Sequence, residues 1–473
     1  MNGLFSNPAL LILIETLTFI FVAATAPTRF QLILTFLSMC AINECKSVRF
    51  MHQHFHRSLT ERKLNSLYAV FNEARIDLSS WISNFSLLLI QLIPEGCSTY
   101  PIYLVIDDTL IEKVGTHFEG WAKLFDHVAH NGTSYLNGHC IVTLVVELPL
   151  QHENGVVRYV RVPLQQKLWI PKKNKGKENE SDKESIVPGI PYKTKYELLR
   201  EILELSIRSL GENRSYVLLA DSWYPKGEIL EFVNDNANVE AVFNVPINTV
   251  IYSTEVPQPT GKRGRPREIG NRLSPKKDFS MIDIPGTGYR AGWRDVTTNL
   301  FGKKKCVRAL VTESKEQKSR RLFICTDPDK CTIPAECITD KTAKAIIEAI
   351  PEASCFACYS LRWAIEVTYL EQKTHWGLSE YMLRSVTGIE RLINLQSMVY
   401  AVLCVLPWLD PVFESLKELS VQERRYEVGK AINQDLFLRS FAEELENQEN
   451  SEEFMTTFCE IADKIRCFAK TGT

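Results

Sequence analysis

Apolar positions change their rhythm several times along the chain. From Ala9 to Ala26 nearly every residue is apolar, and Phe30 to Cys40 is again largely apolar after Pro27. A proline between two such runs predicts two helices packed on each other. Glu15 and Thr16, Thr18 and Thr25 interrupt the first run, and no basic cluster precedes it. Those features favour a buried helical hairpin over a membrane span of about 20 apolar residues or a secretory signal. Residues 1–95 read mainly as helices, with a helix start in His56–Phe71 capped by Ser58 or Thr60. After Pro101 the period shortens to that of strands: Tyr103–Ile106, Cys140–Leu148 and Val156–Val162. Lys193–Leu210 returns to helical spacing through Leu198, Leu199, Ile202, Leu203 and Ile207. A strand at Tyr216–Ala220, a helix at Gly227–Asn234 and a strand at Ala241–Val245 come next. The order predicts an α/β core with a mixed sheet.

The next hundred residues are rich in Gly and Pro and hold short strands at Cys306–Thr312 and Arg321–Thr326. They read as a β-rich insertion. Helical spacing resumes at Thr342–Ile350 and runs from Ser354 through Trp408. The expected division is a helical N-terminal DNA-binding or dimerisation domain (1–95), a first core part (96–245), the β-rich insertion (246–345), a second core part (346–410) and a charged helical C-terminal region (411–473). Pro171–Glu184 and Glu443–Glu453 are charged and read as solvated.

Composition narrows the class. Hydrophobic residues make up 45% and charged residues 24%, which is globular. The formal charge of -2 rules out a uniformly basic protein, but nucleic-acid binding depends on local charge. Thirteen cysteines cannot all pair within the chain, and Cys355–Cys358 is the lone CxxC, so free thiols in a reducing compartment are expected. His117, His127, His130 and His139 read as structural or surface residues rather than as a zinc site.

Candidate chemistry lies in the acids. Asp107 and Asp108 end the first strand and Asp221 ends YVLLA. Ligands commonly bind at strand ends of such sheets, although Asp also caps ordinary turns. Glu366 lies in a helical stretch where Tyr359, Arg362, Glu366 and Lys373 are separated by 3, 4 and 7 positions, which places them on one helix face. A salt-bridge stripe would give the same spacing. Carboxylates brought together would hold Mg²⁺, and Arg362 and Lys373 would hold phosphates. Asp107 and Asp108 point to opposite faces of a strand, so one of them is expected to serve. Strand geometry alone leaves the choice between Asp107 and Asp108 open.

Tyr359-x2-Arg362-x3-Glu366-x6-Lys373 matches the Y(2)R(3)E(6)K signature, and the chain thereby resembles DDE transposases of the insertion-sequence 4 and 701 kind. VIDDTLIEKVGTHFEG resembles that family's first-Asp region, whose Asp-x-Thr placement favours Asp107, with Thr109, over Asp108 as the alternative, and LLADSWY resembles its second. The segment from Leu383 resembles the stretch after the family's Glu helix. The resemblance covers about residues 100–405. It implies a ribonuclease-H-like core interrupted by a β-rich insertion, with Asp107, Asp221 and Glu366 as catalytic and metal-binding acids. It implies two Mg²⁺ ions, with Mn²⁺ substituting, and cut-and-paste DNA transposition. Double-stranded DNA, as transposon-end inverted repeats and target, is the implied partner, with the protein a homodimer on DNA. The resemblance also implies a bacterial cytoplasmic, nucleoid-associated setting, with no membrane.

Lys262, Arg263, Arg265 and Arg267 form a basic run that resembles a minor-groove hook. Lys303–Lys305 add a second patch, and Arg384 is a further DNA contact candidate. Trp223 beside Asp221 could hold a flipped base, although a core position is the default expectation. Rival readings are a domesticated or inactive transposase that only binds DNA, a ribonuclease-H-like nuclease without strand transfer, and a membrane-anchored protein.

Overall fold

The computed structural model describes residues 4–43, 47–126, 134–152, 155–173, 184–258, 267–447 and 456. Lys262, Arg263, Arg265, His127 and His130 lie outside the described residues. So do Cys45, Cys459, Cys467 and most of the two charged stretches.

Two apolar helices open the chain, as their pattern predicts. Helix α1 (Pro8–Ile20) is capped by the Asn7 side chain, and α2 (Ala26–Ala41) starts with a proline in its first turn. Among the described residues neither is long enough to cross a membrane. The one helix that is, Val386–Leu409, has 89% of its most apolar window buried against the rest of the protein. Next, α3 (Val48–Met51) passes through one π turn, His52–His56, into α4 (Arg57–Leu59). Helix α5 (Leu64–Asn72) begins after Lys63 without a side-chain cap. The expected cap at Ser58 or Thr60 is therefore wrong: Thr60 closes the preceding helix, and its hydroxyl accepts from the Arg62 N–H. Helix α6 (Leu78–Leu92) completes the helical layer, capped by Asp77.

The sheet begins with β1 (Ile102–Glu112), β2 (Ala122–Phe125), β3 (Tyr135–Gln151) and β4 (Val157–Trp169). Helix α7 (Lys195–Leu210) comes next, its start set by a reciprocal Thr194–Glu197 capping box. Then come β5 (Tyr216–Ala220), α8 (Gly227–Asp235) and β6 (Val239–Val245). Strand β3 runs antiparallel to β1 and β4 antiparallel to β3, while β5 and β6 add parallel on the other side of β1. The order β4-β3-β1-β5-β6 is the ribonuclease-H-like arrangement. Its central strands are buried on both faces, which explains their continuous apolar runs.

The β-rich segment supplies β7 (Ile251–Ser253), β8 (Arg272–Leu273), β9 (Ile282–Asp283), β10 (Tyr289–Thr298), β11 (Lys305–Ser314) and β12 (Arg320–Cys325). Strand β12 pairs antiparallel with β6 from Val242 to Val245, so these strands extend the core sheet to twelve strands. Helix α9 (Lys341–Ala349) leads into a 3₁₀ run, Pro351–Arg362, then α10 (Trp363–His375) and the long α11 (Val386–Leu409). Helix α12 (Val421–Asn447) closes the described chain and packs on α2.

Helix α10 is anchored from behind. Arg161 on β4 pairs with Glu371 at 2.7 Å, and the Tyr400 hydroxyl of α11 donates to the same carboxylate. Gln166 of β4 donates to Gln372 at 2.9 Å, and the Asn394 side chain bonds the Gln166 main chain. These contacts set the height of Glu366 over the sheet.

Candidate active site

The β1–β5 ladder pairs Val105 with Leu219 and ends there. Asp107 and Asp221 each lie two residues beyond that last pair, so the parallel register brings them side by side. Parallel strands separated by a helical crossover emerge at the same sheet edge, which is where this fold class gathers ligands. Asp221 also shapes its own turn: its Oδ1 accepts from the Trp223 N–H at 2.9 Å.

The two neighbouring acids of β1 have different surroundings, as pleating requires. Asp107 faces the 3₁₀ run and α10. Its Oδ2 is 3.5 Å from Arg362 Nη1. The Tyr369 hydroxyl donates to its carbonyl at 3.0 Å. Burial, then the nearby Asp221 and Asp108 charges, push its carboxyl up to about 7. Asp108 faces α7. Lys195 Nζ donates to its Oδ2 at 2.8 Å, the Cys140 thiol donates to the same oxygen at 3.1 Å, and the Tyr224 hydroxyl donates to Oδ1. All three donors leave Asp108 engaged away from Asp221.

Glu366 reaches the group through Arg362, whose Nη2 donates to its Oε1. One guanidinium thus bridges Asp107 and Glu366. The expectation of a single helical stripe needs correction. Tyr359 and Arg362 lie in the 3₁₀ run, where a spacing of three repeats the same face, and the α-helix begins only at Trp363. The four residues still converge, because the helix type changes between Arg362 and Glu366. Two of them turn inward rather than toward solvent: the Tyr359 hydroxyl donates to the Ala220 carbonyl at 3.4 Å, and Lys373 Nζ to the Leu110 carbonyl at 3.0 Å. Both tie the glutamate segment to the acid-bearing strands. Neither is a free phosphate contact in this arrangement.

The aromatic expectations also change. Trp223 is 46% exposed, not a core residue, and Lys226 Nζ lies 4.5 Å from its ring centre. Apolar cover around α10 is partial: Ile365 is buried, but Trp363 is 61% exposed and Leu370 is exposed. Exposed side chains at Arg384 and Arg267 leave both open to a partner, Arg267 donating weakly to Asn271 at 3.4 Å. His139 is buried and shares hydrogen bonds with the Tyr381 hydroxyl (2.7 Å) and the Glu119 carbonyl (2.9 Å). Lys113, buried nearby, donates to the Ser379 and Tyr381 carbonyls at 2.8 Å. No local sequence pattern signals this pinning of β1 to the segment after α10, because 266 residues separate Lys113 from Ser379.

A family model described as DDE superfamily endonuclease matches residues 21–299, more than half of the chain. The chain belongs to that family. The match includes Asp107, Asp108 and Asp221 and ends before Glu366. No curated protein matches the chain. Enzymes of this family are nucleases acting on DNA with divalent metals. The donor set suits such an ion. Asp107 and Asp221 are neighbouring carboxylates, hard oxygen donors of the kind Mg²⁺ takes; burial, then the Asp221 and Asp108 charges, push the Asp107 carboxyl up to about 7, and a cation would relieve that repulsion. Among the described residues no three His, Cys, Asp or Glu side chains form a group that could hold a metal ion, and Arg362 lies between Asp107 and Glu366 as their counter-charge.

Proposed function

We propose that the protein is a DNA transposase of the insertion-sequence 4 and 701 kind, cutting and joining DNA in cut-and-paste transposition. The observation that carries this reading is the in-register approach of Asp107 and Asp221, with Arg362 joining Asp107 to Glu366. Asp107, Asp221 and Glu366 would hold two Mg²⁺ ions, for which Mn²⁺ substitutes; when bound, these supply charge to the attacking and leaving oxygens of an in-line displacement. Asp108 is assigned to the scaffold, because its oxygens are taken by Lys195, Cys140 and Tyr224.

Two displacements make up the reaction. Water attacks the phosphorus at the transposon end, the P–O3′ bond breaks, and a 3′-hydroxyl is released. That hydroxyl then attacks a target phosphodiester and displaces its 3′ oxygen. Both displacements take place at one site, and no covalent protein–DNA bond is needed. Arg362, beside both acids, balances their charge and is placed to meet a phosphate oxygen. Trp223, two residues after Asp221, and Trp363, three residues before Glu366, offer exposed rings for unpaired bases.

The N-terminal helices are proposed as a DNA-binding unit. Beside the π turn, a pocket of about 630 Å³ has Arg49, Arg57, Arg62 and Lys63 against the single acid Glu61 in its lining, a mostly basic surface suited to a phosphate backbone. Arg267, with Lys262, Arg263 and Arg265, and Arg384 are proposed as further DNA contacts. Two copies, each holding one transposon end, are the proposed assembly, in a bacterial cytoplasm.

Joining of a precleaved end tests this reading. With Mg²⁺ and a supercoiled target plasmid, wild-type protein is expected to link the 3′-hydroxyl end covalently to the plasmid. Cleavage of end-bearing DNA without any joined product would make the protein a nuclease and overturn the transposase reading.

A further inference from the structure

Backbone pairing between β1 and β5 stops at Val105–Leu219, two residues short of the acids. Beyond that point, a different connection joins the two segments. Tyr224 lies three residues after Asp221, and its N–H donates to the Asp221 carbonyl at 3.3 Å. Its ring is 1% exposed and passes beneath the turn, so that its hydroxyl donates to Asp108 Oδ1. Asp108 is the residue immediately after Asp107, on the opposite face of β1. The other oxygen of Asp108 is held at 2.8 Å by Lys195, the first residue of α7, and at 3.1 Å by Cys140 of β3. The Thr194–Glu197 capping box fixes where α7 begins, and with it Lys195. A further bond ties the turn to the same helix: the Tyr196 hydroxyl donates to the Trp223 carbonyl at 3.3 Å.

We infer that Tyr224, through Asp108, is a positioning residue that sets the separation of Asp107 and Asp221. The inference rests on the proposed reading of those two acids as metal ligands. Hydrogen bonds that orient ligands from behind are worth about 10–100-fold in metal affinity or activity. Here the bond links the two segments beyond the last β1–β5 pair, where strand pairing no longer holds them. Lys195 and Cys140 keep the Asp108 carboxylate turned toward Tyr224, so the four groups act as one brace.

The test uses full-length Tyr224→Phe, which deletes only the hydroxyl, with Cys140→Ser as a variant that keeps a donor to Asp108. Mn²⁺ binding is measured directly by electron paramagnetic resonance, and single-turnover cleavage of end-bearing DNA is followed alongside. Tyr224→Phe is expected to keep its circular dichroism spectrum and its KM for DNA, to bind Mn²⁺ about 10-fold more weakly and to cleave about 10–100-fold more slowly. Cys140→Ser is expected to stay within about twofold of wild type in both readouts, on the same scale of effects. Wild-type Mn²⁺ affinity and cleavage rate in Tyr224→Phe would overturn the brace while leaving the acids as ligands. Wild-type protein that binds no Mn²⁺, or binds it equally after Asp221→Asn, would overturn the ligand assignment itself, and the brace with it.

Discussion

Replacing any one of the three acids is expected to abolish cleavage without unfolding the protein. Asp107→Asn, Asp221→Asn and Glu366→Gln should each slow single-turnover cutting of end-bearing DNA by at least about 10³-fold, or ~4 kcal/mol of transition-state stabilisation. The amides keep the shape of each side chain and lose only the charge. At Asp107 the substitution removes a buried charge that Asp221 and Asp108 already repel, so thermal stability should hold or rise. Asp108→Asn is the contrasting case. It leaves Lys195 half-buried without its partner and is expected to destabilise the fold by about 2–3 kcal/mol. Urea unfolding separates the two neighbours: an unchanged or raised midpoint for Asp107→Asn, a lowered one for Asp108→Asn. An Asp108→Asn variant as stable as wild type, with Asp107→Asn still active, would exchange the roles of the two acids.

The second large effect is expected far from the chemistry. Arg425, on α12, is 2% exposed. Its guanidinium donates to the carbonyls of Met39 (2.9 Å), His375 (2.7 Å) and Ile42 (2.6 Å), with a longer contact to Asn43 at 3.4 Å, and lies 4.8 Å from the Trp376 ring centre. One side chain therefore fastens the end of α2, the end of α10 and α12 together. Arg425→Ala would leave several buried carbonyls without donors, and about 3–5 kcal/mol of stability should be lost. Arg425→Lys should not restore it, because an ammonium cannot reproduce a planar fork that reaches two separate chain segments at once. Equilibrium urea unfolding of both variants measures the loss, and a change under about 1 kcal/mol in Arg425→Ala would contradict this role.

Much of the core was legible because local patterns carry it. Strands buried on both faces show as continuous apolar runs, and YLVI and YVLLA both lead into Asp. Alternation along a strand predicts that Asp107 and Asp108 diverge, but not which one meets Asp221. That depends on Lys195 and Tyr224, 87 and 116 residues away. The spacing of Tyr359, Arg362, Glu366 and Lys373 fits an α-helix, and it also fits a 3₁₀ turn that passes into one. The sequence period of three and four cannot separate them. Pairing of β12 with β6 joins segments about 80 residues apart, so local pattern marks the strands of the β-rich segment without saying that they extend the core sheet. Exposure of Trp223 follows from its place in a turn pinned by Asp221 and Tyr224, not from its own hydrophobicity.

In the proposed reading, β1, β5 and α10 present their acids to one metal-dependent site. Iron-directed cleavage of the polypeptide tests it most directly, with Fe²⁺ replacing Mg²⁺ and ascorbate and peroxide generating radicals at the bound ion. The expected result is backbone cutting in three segments, around Asp107, around Asp221 and around Arg362–Glu366, suppressed by excess Mg²⁺ and lost in Asp221→Asn. Cutting at other segments alone, or cutting that persists in Asp221→Asn, would contradict the account.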